Sequence, residues 1–518
     1  MLRAASKVNM DNGTRLAAVD MGSNSFRLEI GRLDRGQVHR TDYVKETVRL
    51  GAGLTNAKAL TPEAMERGWA CLARFAERLA GFPRAQVRAV ATQTLREATN
   101  RDEFVTQAEK ILGFPIEVIP GREEARLIYI GAARLLPQSN ERRLVIDIGG
   151  RSTELIIGRA YSPKQTESFK AGSVSWTQRF FPEGELTRKA FDAADMAAKA
   201  LLADVPQLYA KDSWDCAYGS SGTIGAVAET LVNAGQSTGG ITRAGLDWLR
   251  DRLIKAGQAE ALNLPGIRDD RKPIIAGGLA VLSALVDLLD IDTLYPAQGA
   301  LRQGVLYDLI DREHDATDMR TATVYRVAEQ FGVDAAQARR VTNTAMHLFD
   351  SVQARAKADV PTLTADELAL GRKELERAAW LHEVGTAISH SGYHKHGAYI
   401  LRNADAAGFA TPELSRISEL VLSQRGKLQR TDMIGNWASP LWVQQLACMR
   451  LAVILCHARR DPVLGGISLR CRTKNAARLV LTVPRAWAQQ WPLSSHLLDE
   501  EAQMWARSPW QLVLETES

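Results

Sequence analysis

Two short stretches of this chain put a carboxylate beside a tight, hydroxyl-rich turn. Asp20-Met-Gly-Ser-Asn-Ser-Phe-Arg-Leu-Glu-Ile-Gly31 and Asp147-Ile-Gly-Gly-Arg-Ser-Thr-Glu-Leu-Ile-Ile-Gly158 align without a gap, and the Asp, the first Gly, a Ser, a Leu, an Ile and the final Gly agree. An Asp at the end of a strand is held rigidly enough to bind Mg²⁺ directly or through water. Gly22 permits the turn, and Ser23, Asn24 and Ser25 offer donors to phosphate oxygens. In the second copy, Gly149 and Gly150 let backbone approach an anion, Ser152 repeats the hydroxyl, and Glu154 stands on the outgoing strand. Arg151 reads either as a clamp on phosphate oxygens or as a solvated turn residue. A third turn, Gly219-Ser220-Ser221-Gly222-Thr223, falls between a strand and a helix, where unpaired N–H groups bind anions; a helix cap explains it equally well. The tandem turns suggest two half-domains facing each other across one polyanion site.

The elements that must position these residues follow from the pattern around them. Residues 15–31 predict a hairpin, Tyr43–Arg49 a third strand, and Thr61-Pro62-Glu63 a capped helix start running to Leu79. Val87–Ala91 and Ile116–Ile119 read as strands, with helices from Asn100 to Ile111 and from Gly121. The second copy repeats the order: strands at 144–148, 153–158 and 165–170, a long helix from Thr187 to Tyr209, a strand at Cys216–Tyr218, a helix from Gly222, a strand at Leu294–Tyr295 and a helix from Leu301 to Ile310. The fold class expected is therefore α/β, built on a duplicated domain. Beyond about Asp315 the periodicity is helical through Arg459; Gly466–Val483 then reads as two strands around Lys474-Asn475, before a Trp-rich helical end. Four domains are expected, at 15–137, 138–314, 315–460 and 461–518.

Composition narrows the function classes. With 518 residues, 45% hydrophobic and 24% charged, the chain can build several cores and is not a disordered one. A net charge of +5 is too mild to announce nucleic-acid binding, yet suits a protein that admits an anionic substrate. Five scattered Cys without a C-x-x-C pair fit a reducing cytosol. With no apolar leader and no long apolar run, a soluble cytoplasmic protein without a membrane span is expected.

The Asp-x-Gly turns, Gly-Ser-Ser-Gly-Thr, Gly121-Arg-Glu-Glu-Ala-Arg-Leu127 and Gly299-Ala-Leu-Arg-Gln-Gly-Val-Leu306 together resemble the exopolyphosphatase/guanosine pentaphosphate phosphohydrolase family, of the actin, sugar-kinase and Hsp70 superfamily. The resemblance continues through Leu381-His-Glu-Val-Gly385 and His390-Ser-Gly-Tyr-His-Lys-His396, as in the long four-domain form. It implies duplicated ribonuclease-H-like domains, then an all-α HD-like domain and a small α+β end. It also implies Mg²⁺-dependent hydrolysis of terminal phosphate from linear polyphosphate, without a covalent intermediate, by a homodimer, with K⁺ a further candidate cation. By similarity Glu124 is the general base; otherwise Glu123 and Glu124 simply favour a helix N-terminus. Asp20 and Asp147 would position the metal, Glu154 would orient water, and the turn residues Gly22, Ser23, Asn24, Ser25, Gly149, Gly150, Ser152, Ser221, Gly222 and Thr223, with Arg96, would hold phosphates. Where the family usually has a third Gly, this chain has Arg151; if Arg151 touches phosphate, Arg151→Gly weakens affinity more than turnover.

In the helical region the diagnostic His-Asp pair is His382-Glu383, with His347 upstream, so a scaffold without a second metal is favoured over a metal site. Lys170, Arg302, His382, His394, Lys395 and Arg402, together with Arg425, Lys427 and Arg430, are the cations expected along a polyphosphate path; each lysine and arginine alone also reads as a solvated face. A pppGpp 5′-phosphohydrolase is the nearest rival, ppGpp a possible ligand, and a non-catalytic alarmone or phosphate sensor or an ATP-dependent kinase the more distant ones.

Overall fold

A computed structural model describes residues 11–137, 139–312, 318–354, 363–404, 406–428, 436–472 and 477–517. Arg430 and the Lys474-Asn475 turn lie outside the described residues. The chain divides into two compact units, one over Lys7–Asp318 and one from Met319 onward.

The first unit contains two five-stranded sheets. The first holds β1 (Arg15–Met21), β2 (Phe26–Asp34), β3 (Gln37–Glu46), β4 (Val87–Ala91) and β5 (Ile116–Val118), in the order β3-β2-β1-β4-β5. The second holds β6 (Arg142–Ile148), β7 (Thr153–Arg159), β8 (Ser162–Phe169), β9 (Cys216–Ser220) and β10 (Leu294–Pro296), in the order β10-β9-β6-β7-β8. Read from opposite ends, the two orders are the same, as a duplication requires. Register is duplicated too: Asp20 pairs across its hairpin with Arg27, and Asp147 with Glu154. β1 and β6 are buried on both faces from their second residue onward, which explains their near-continuous apolar sequences.

Helices α1 (Pro62–Leu79), α2 (Gln93–Glu97), α3 (Arg101–Leu112) and α4 (Gly121–Leu135) follow the first sheet's strands. α1 starts as its sequence predicts: the Thr61 hydroxyl accepts from the Ala64 N–H, with Pro62 at the first helical position. In the second half come α5 (Ser173–Phe180), α6 (Arg188–Leu201), α7 (Val205–Leu208), α8 (Gly222–Asn233), α9 (Arg243–Ala256), α10 (Ile275–Leu288) and α11 (Leu301–Arg312). The helix expected from Thr187 to Tyr209 is in fact α6 and α7, because Pro206 cannot continue the i→i−4 ladder. The third strand runs Gln37–Glu46 instead of Tyr43–Arg49: Arg35 and Gly36 both take positive φ in a tight turn, and Arg49, at φ 53°, breaks the extended run.

α4 and α11 pack between the sheets, sharing one apolar cluster that includes Leu16, Val90, Leu127, Val145, Ile156 and Val305. Their crossing admits no side chain. A Cβ on Gly131 would lie 2.0 Å from the Ala300 carbonyl oxygen, and one on Gly304 would lie 1.8 Å from that of Leu127. A buried charge cluster fixes the same pair: Arg126 bonds both Glu123 and Asp308, while Arg88 and Arg312 also reach Asp308. α4 is thereby held from its first turn, where Glu124 stands.

The second unit is helical from α12 (Met319–Gln330) through α13 (Ala335–Ala354), α14 (Ala365–Trp380), α15 (Tyr393–Asn403), α16 (Thr411–Ser423) and α17 (Pro440–Leu455). β11 (Ser468–Arg472) and β12 (Arg478–Pro484) then pair antiparallel; α18 (Arg485–Gln490) and α19 (Pro492–Trp505) lead to β13 (Gln511–Glu517), parallel to β12 and not foreseen from sequence. Phe349, Leu446, Leu469, Leu481 and Trp505 belong to one buried cluster, so the small sheet shares its core with the helices. Among the described residues no helix is long and apolar enough to cross a membrane.

Candidate active site

Both Asp-x-Gly turns open onto one cleft of about 100 Å³ in the first unit, lined from both sheets by Asp20, Ser23, Asn24, Glu124, Asp147 and Gly149, among others. Gly22, Ser25, Gly150, Ser152, Ser221 and Gly222 also reach it, so three turns separated by some 200 residues of sequence converge. Each turn is pinned from behind. The Ser23 and Asn24 carbonyls accept from the Gly51 and Arg49 N–H groups, and the Gly149 and Gly150 carbonyls from Ser173 and Val174. Ser23 Oγ also accepts from Thr94 Oγ1 at 2.7 Å. Ser221 takes φ 105°, a strained position for a serine that costs on the order of 1–3 kcal/mol, and its hydroxyl accepts from Thr223 and Ile224 N–H at the start of α8.

Charge in the cleft is unbalanced in an informative way. Asp20, Glu124 and Asp147 are 5–8% exposed. Burial pushes the Glu124 carboxyl above its ordinary range; Arg96 opposes this, while the charges of Asp20 and Asp147 add to it. Burial likewise raises Asp147, against the hydrogen bond it accepts from Ser220 Oγ. Glu154, behind Asp147, is raised strongly by burial and then by Glu124 and Asp147, and accepts from Ser168 Oγ at 2.8 Å. Several buried carboxylates that repel one another make a site prepared for a cation. The donors are hard oxygens, and Mg²⁺ is commonly held by one or two carboxylates together with water and substrate phosphates, so Asp20 and Asp147 fit that ion. Among the described residues no group of three His, Cys, Asp or Glu side chains is arranged as an all-protein metal cage.

Three arginines line the same cleft. Arg302, expected further along a path, lines the cleft itself, 3.5 Å from Asp20 and 3.2 Å from Glu29. Arg27, the hairpin partner of Asp20, lies 3.7 Å from it. Arg271 is 6% exposed, and its Nε is buried without a hydrogen-bond partner. Its guanidinium lies against Gly222, where a Cβ would come within 1.9 Å of Nη2. A cation at a helix N-terminus opposes the helix dipole, and a bound anion would reconcile the two. Sequence reading missed Arg27 and Arg271. For Arg27 the signal was present, since it occupies the position matching Glu154; for Arg271, in an irregular segment, there was none.

Other expected residues fall elsewhere. Arg151 does not line the cleft; its guanidinium bonds Glu97 at 3.0 Å and the Gly51 carbonyl at 3.3 Å, because the side chain lies along the first half's loop. Arg96 is a partner of Glu124, at 2.7 Å, and is not a wall of the cleft. Thr223 is buried against Gly278, one residue inside α8. Lys170 is exposed beyond β8 and is not among the cleft residues. In the second unit His382 cannot touch a polyanion: it is 1% exposed, its Nδ1 is 2.8 Å from the Ala379 carbonyl oxygen, and burial lowers its pKa. His347 Nε2 is 3.0 Å from the Ile467 carbonyl oxygen, and Glu383 pairs with Arg459. His394 is half-buried beside the Tyr393 ring, whereas Lys395, Arg402, Arg425 and Lys427 are exposed.

The chain matches the Ppx/GppA phosphatase family over residues 30–313 and its domain III over residues 319–502. Solved structures agree. An exopolyphosphatase-like protein is 28% identical, with a TM-score of 0.52 over 57% of this chain and 98% of its own. An exopolyphosphatase from Cytophaga hutchinsonii, 24% identical, gives 0.53 over 57% and 98%. The Aquifex aeolicus Ppx/GppA family member, 25% identical, gives 0.50 over 58% and 99%. Two α/β halves of one strand order, their turns converging on one acidic and cationic cleft, and a helical domain after them accord with the family match over more than half of the chain, which is therefore a hydrolase belonging to the Ppx/GppA phosphatase family.

Proposed function

We propose that this chain is a Mg²⁺-dependent exopolyphosphatase that removes the terminal phosphate of linear polyphosphate by direct attack of water, with Glu124 as general base. The observation that supports this most strongly is the meeting of Asp20, Asp147 and Glu124 in one cleft with Arg271, whose buried Nε has no hydrogen-bond partner. In this reading the terminal phosphate lies between the turns, where Ser23, Asn24, Gly149, Gly150 and Ser152 orient it and Arg27, Arg271 and Arg302 compensate its charge. Glu124 accepts the proton of the attacking water, and its raised pKa makes it a stronger base than an exposed glutamate. Magnesium, when bound at Asp20 and Asp147, supplies charge neutralisation to the transferring phosphoryl group. Ser220 holds the Asp147 carboxylate in place. The leaving group is a shortened polyphosphate, stable as an anion, and needs little acid help. The five described cysteines are free, in keeping with the cytoplasmic setting we propose, and we expect a homodimer.

The test is phosphate release from long-chain polyphosphate and from pppGpp, compared by kcat/KM with one preparation and magnesium present. Polyphosphate should be preferred, and Glu124→Gln should lose about 10²–10⁴ in rate while remaining folded. Preference for pppGpp would move the assignment to the guanosine pentaphosphatase reading. A fully active Glu124→Gln would overturn the assigned base.

A further inference from the structure

Arg151 stands in the turn between β6 and β7, on the second sheet, yet its contacts are with the first half. Its Nη2 and Nε donate to Glu97 Oε2 at 3.0 and 3.3 Å. The other oxygen, Glu97 Oε1, accepts from Gln93 Nε2 at 2.6 Å. Gln93 Oε1 in turn accepts from Arg96 Nη2 at 2.6 Å and Nε at 3.0 Å. Arg96 Nη1 completes the line, donating to Glu124 Oε2 at 2.7 Å and to the Ile119 carbonyl at 2.9 Å.

Each link is directional. A carboxylate only accepts, so Glu97 turns the Gln93 amide with its NH₂ toward itself and its carbonyl toward Arg96. That carbonyl receives one edge of the Arg96 guanidinium, which leaves the opposite edge facing Glu124. Burial works against ionised Glu97; Gln93, Arg151 and the more distant Lys170 overcome it and keep its pKa below the usual value. Without Arg151, Glu97 loses its hydrogen-bonded cation across the gap, keeps only the more distant Lys170, and is freer to turn away. Gln93 then loses the acceptor that sets its amide, and Arg96 loses the contact along one edge, keeping only Nη1 on Glu124 and the Ile119 carbonyl.

We propose that Arg151 is a positioning residue that aligns Glu124 through Glu97, Gln93 and Arg96, so that the base is held fully in place only while the second-sheet phosphate turn abuts the first half. The inference rests on Glu124 being the base. It gives the Arg that replaces the family's usual Gly a role in turnover, without contact with substrate.

The test is steady-state phosphate release from long-chain polyphosphate by the full chain carrying Arg151→Gly, Arg151→Lys, Glu97→Gln, or Arg151→Gly with Glu97→Gln, each checked for thermal midpoint. Arg151→Gly and Glu97→Gln should each lower kcat about tenfold, with KM within about twofold, since a displaced base affects the chemical step. The double variant should be no slower than the worse single one, because both cut the same chain. Arg151→Lys should recover part of kcat. A raised KM with unchanged kcat in Arg151→Gly would mean direct phosphate contact and overturn the proposal, as would losses that multiply in the double variant or unchanged kcat in both singles. If Glu124→Gln is inactive while Arg151→Gly turns over normally, the relay fails and the base stands. If Glu124→Gln is fully active, both fall.

Discussion

Replacing Arg271 with Met should make the empty protein more stable and the working enzyme worse. Arg271 is 6% exposed, its Nε has no hydrogen-bond partner, and its guanidinium rests on the first residue of α8. A buried unsatisfied donor costs about 1–3 kcal/mol. A cation at a helix N-terminus adds about 0.3–1 kcal/mol. Burial is the largest influence lowering the Arg271 pKa, with Arg27 and Arg268 adding repulsion and Asp270 opposing them. Met retains most of the apolar stem, so the packing lost is small and the net gain should be about 1–2 kcal/mol. At about 1.5 °C per kcal/mol for a unit of roughly 300 residues, the thermal midpoint of Arg271→Met should rise by about 2–3 °C without ligand. The same side chain, once it meets phosphate, makes charge-assisted hydrogen bonds of about 1.5–3 kcal/mol, so KM for polyphosphate should rise about 10- to 150-fold. Differential scanning fluorimetry with and without pyrophosphate reads both effects: pyrophosphate should stabilise the parent protein and leave the variant nearly unmoved. A lower midpoint together with an unchanged KM would refute the reasoning, since it would make Arg271 an ordinary packing residue.

Two further outcomes are expected. Because burial, then Asp20 and Asp147 against Arg96, leaves the Glu124 pKa raised, and because the base works only when ionised, kcat/KM should fall on acidification at a higher pH than an exposed glutamate would impose. Removing the Arg96 charge (Arg96→Met) should move that limb higher still, and a limb that stays in place in a pH–rate profile would contradict the assignment. Burial raises Asp308, but Arg126, Arg312 and Arg88 outweigh it and hold the group well below the carboxylate range, so its stabilisation is present above the unfolded pKa and lost only as pH falls through the lower folded one. Asp308→Ala should therefore cost about 3–5 kcal/mol in urea unfolding at neutral pH, with the loss shrinking in strong acid.

What sequence made legible is local. Thr61 and Pro62 place a helix start, and the paired Asp-x-Gly hairpins place two strands, a turn and a carboxylate each, because those signals depend only on neighbouring residues. The turn before β3 escaped because the residue at its first positive-φ position is Arg35, a type that does not favour that conformation, although Asp34 and Gly36 flank it. α9 and α10 went unread between Gly222 and Leu294; α10 is apolar on every side and carries no helical stripe to recognise. Arg151 illustrates the limit for the site: its residue type was visible, but its partner Glu97 is 54 positions away and the direction of its side chain depends on the other half. Arg271 meets Gly222 across a similar distance.

The duplicated hairpins match in backbone but not in charge. Where one ribbon carries Arg27, its copy carries Glu154. Two identical ribbons would greet a phosphoryl group alike from either side and give it no heading. Putting a guanidinium on one and a carboxylate on the other makes the two ribbons unequal: Arg27 lines the cleft beside Asp20, whereas Glu154, 1% exposed, lies behind Asp147 and reaches the cleft only through its charge.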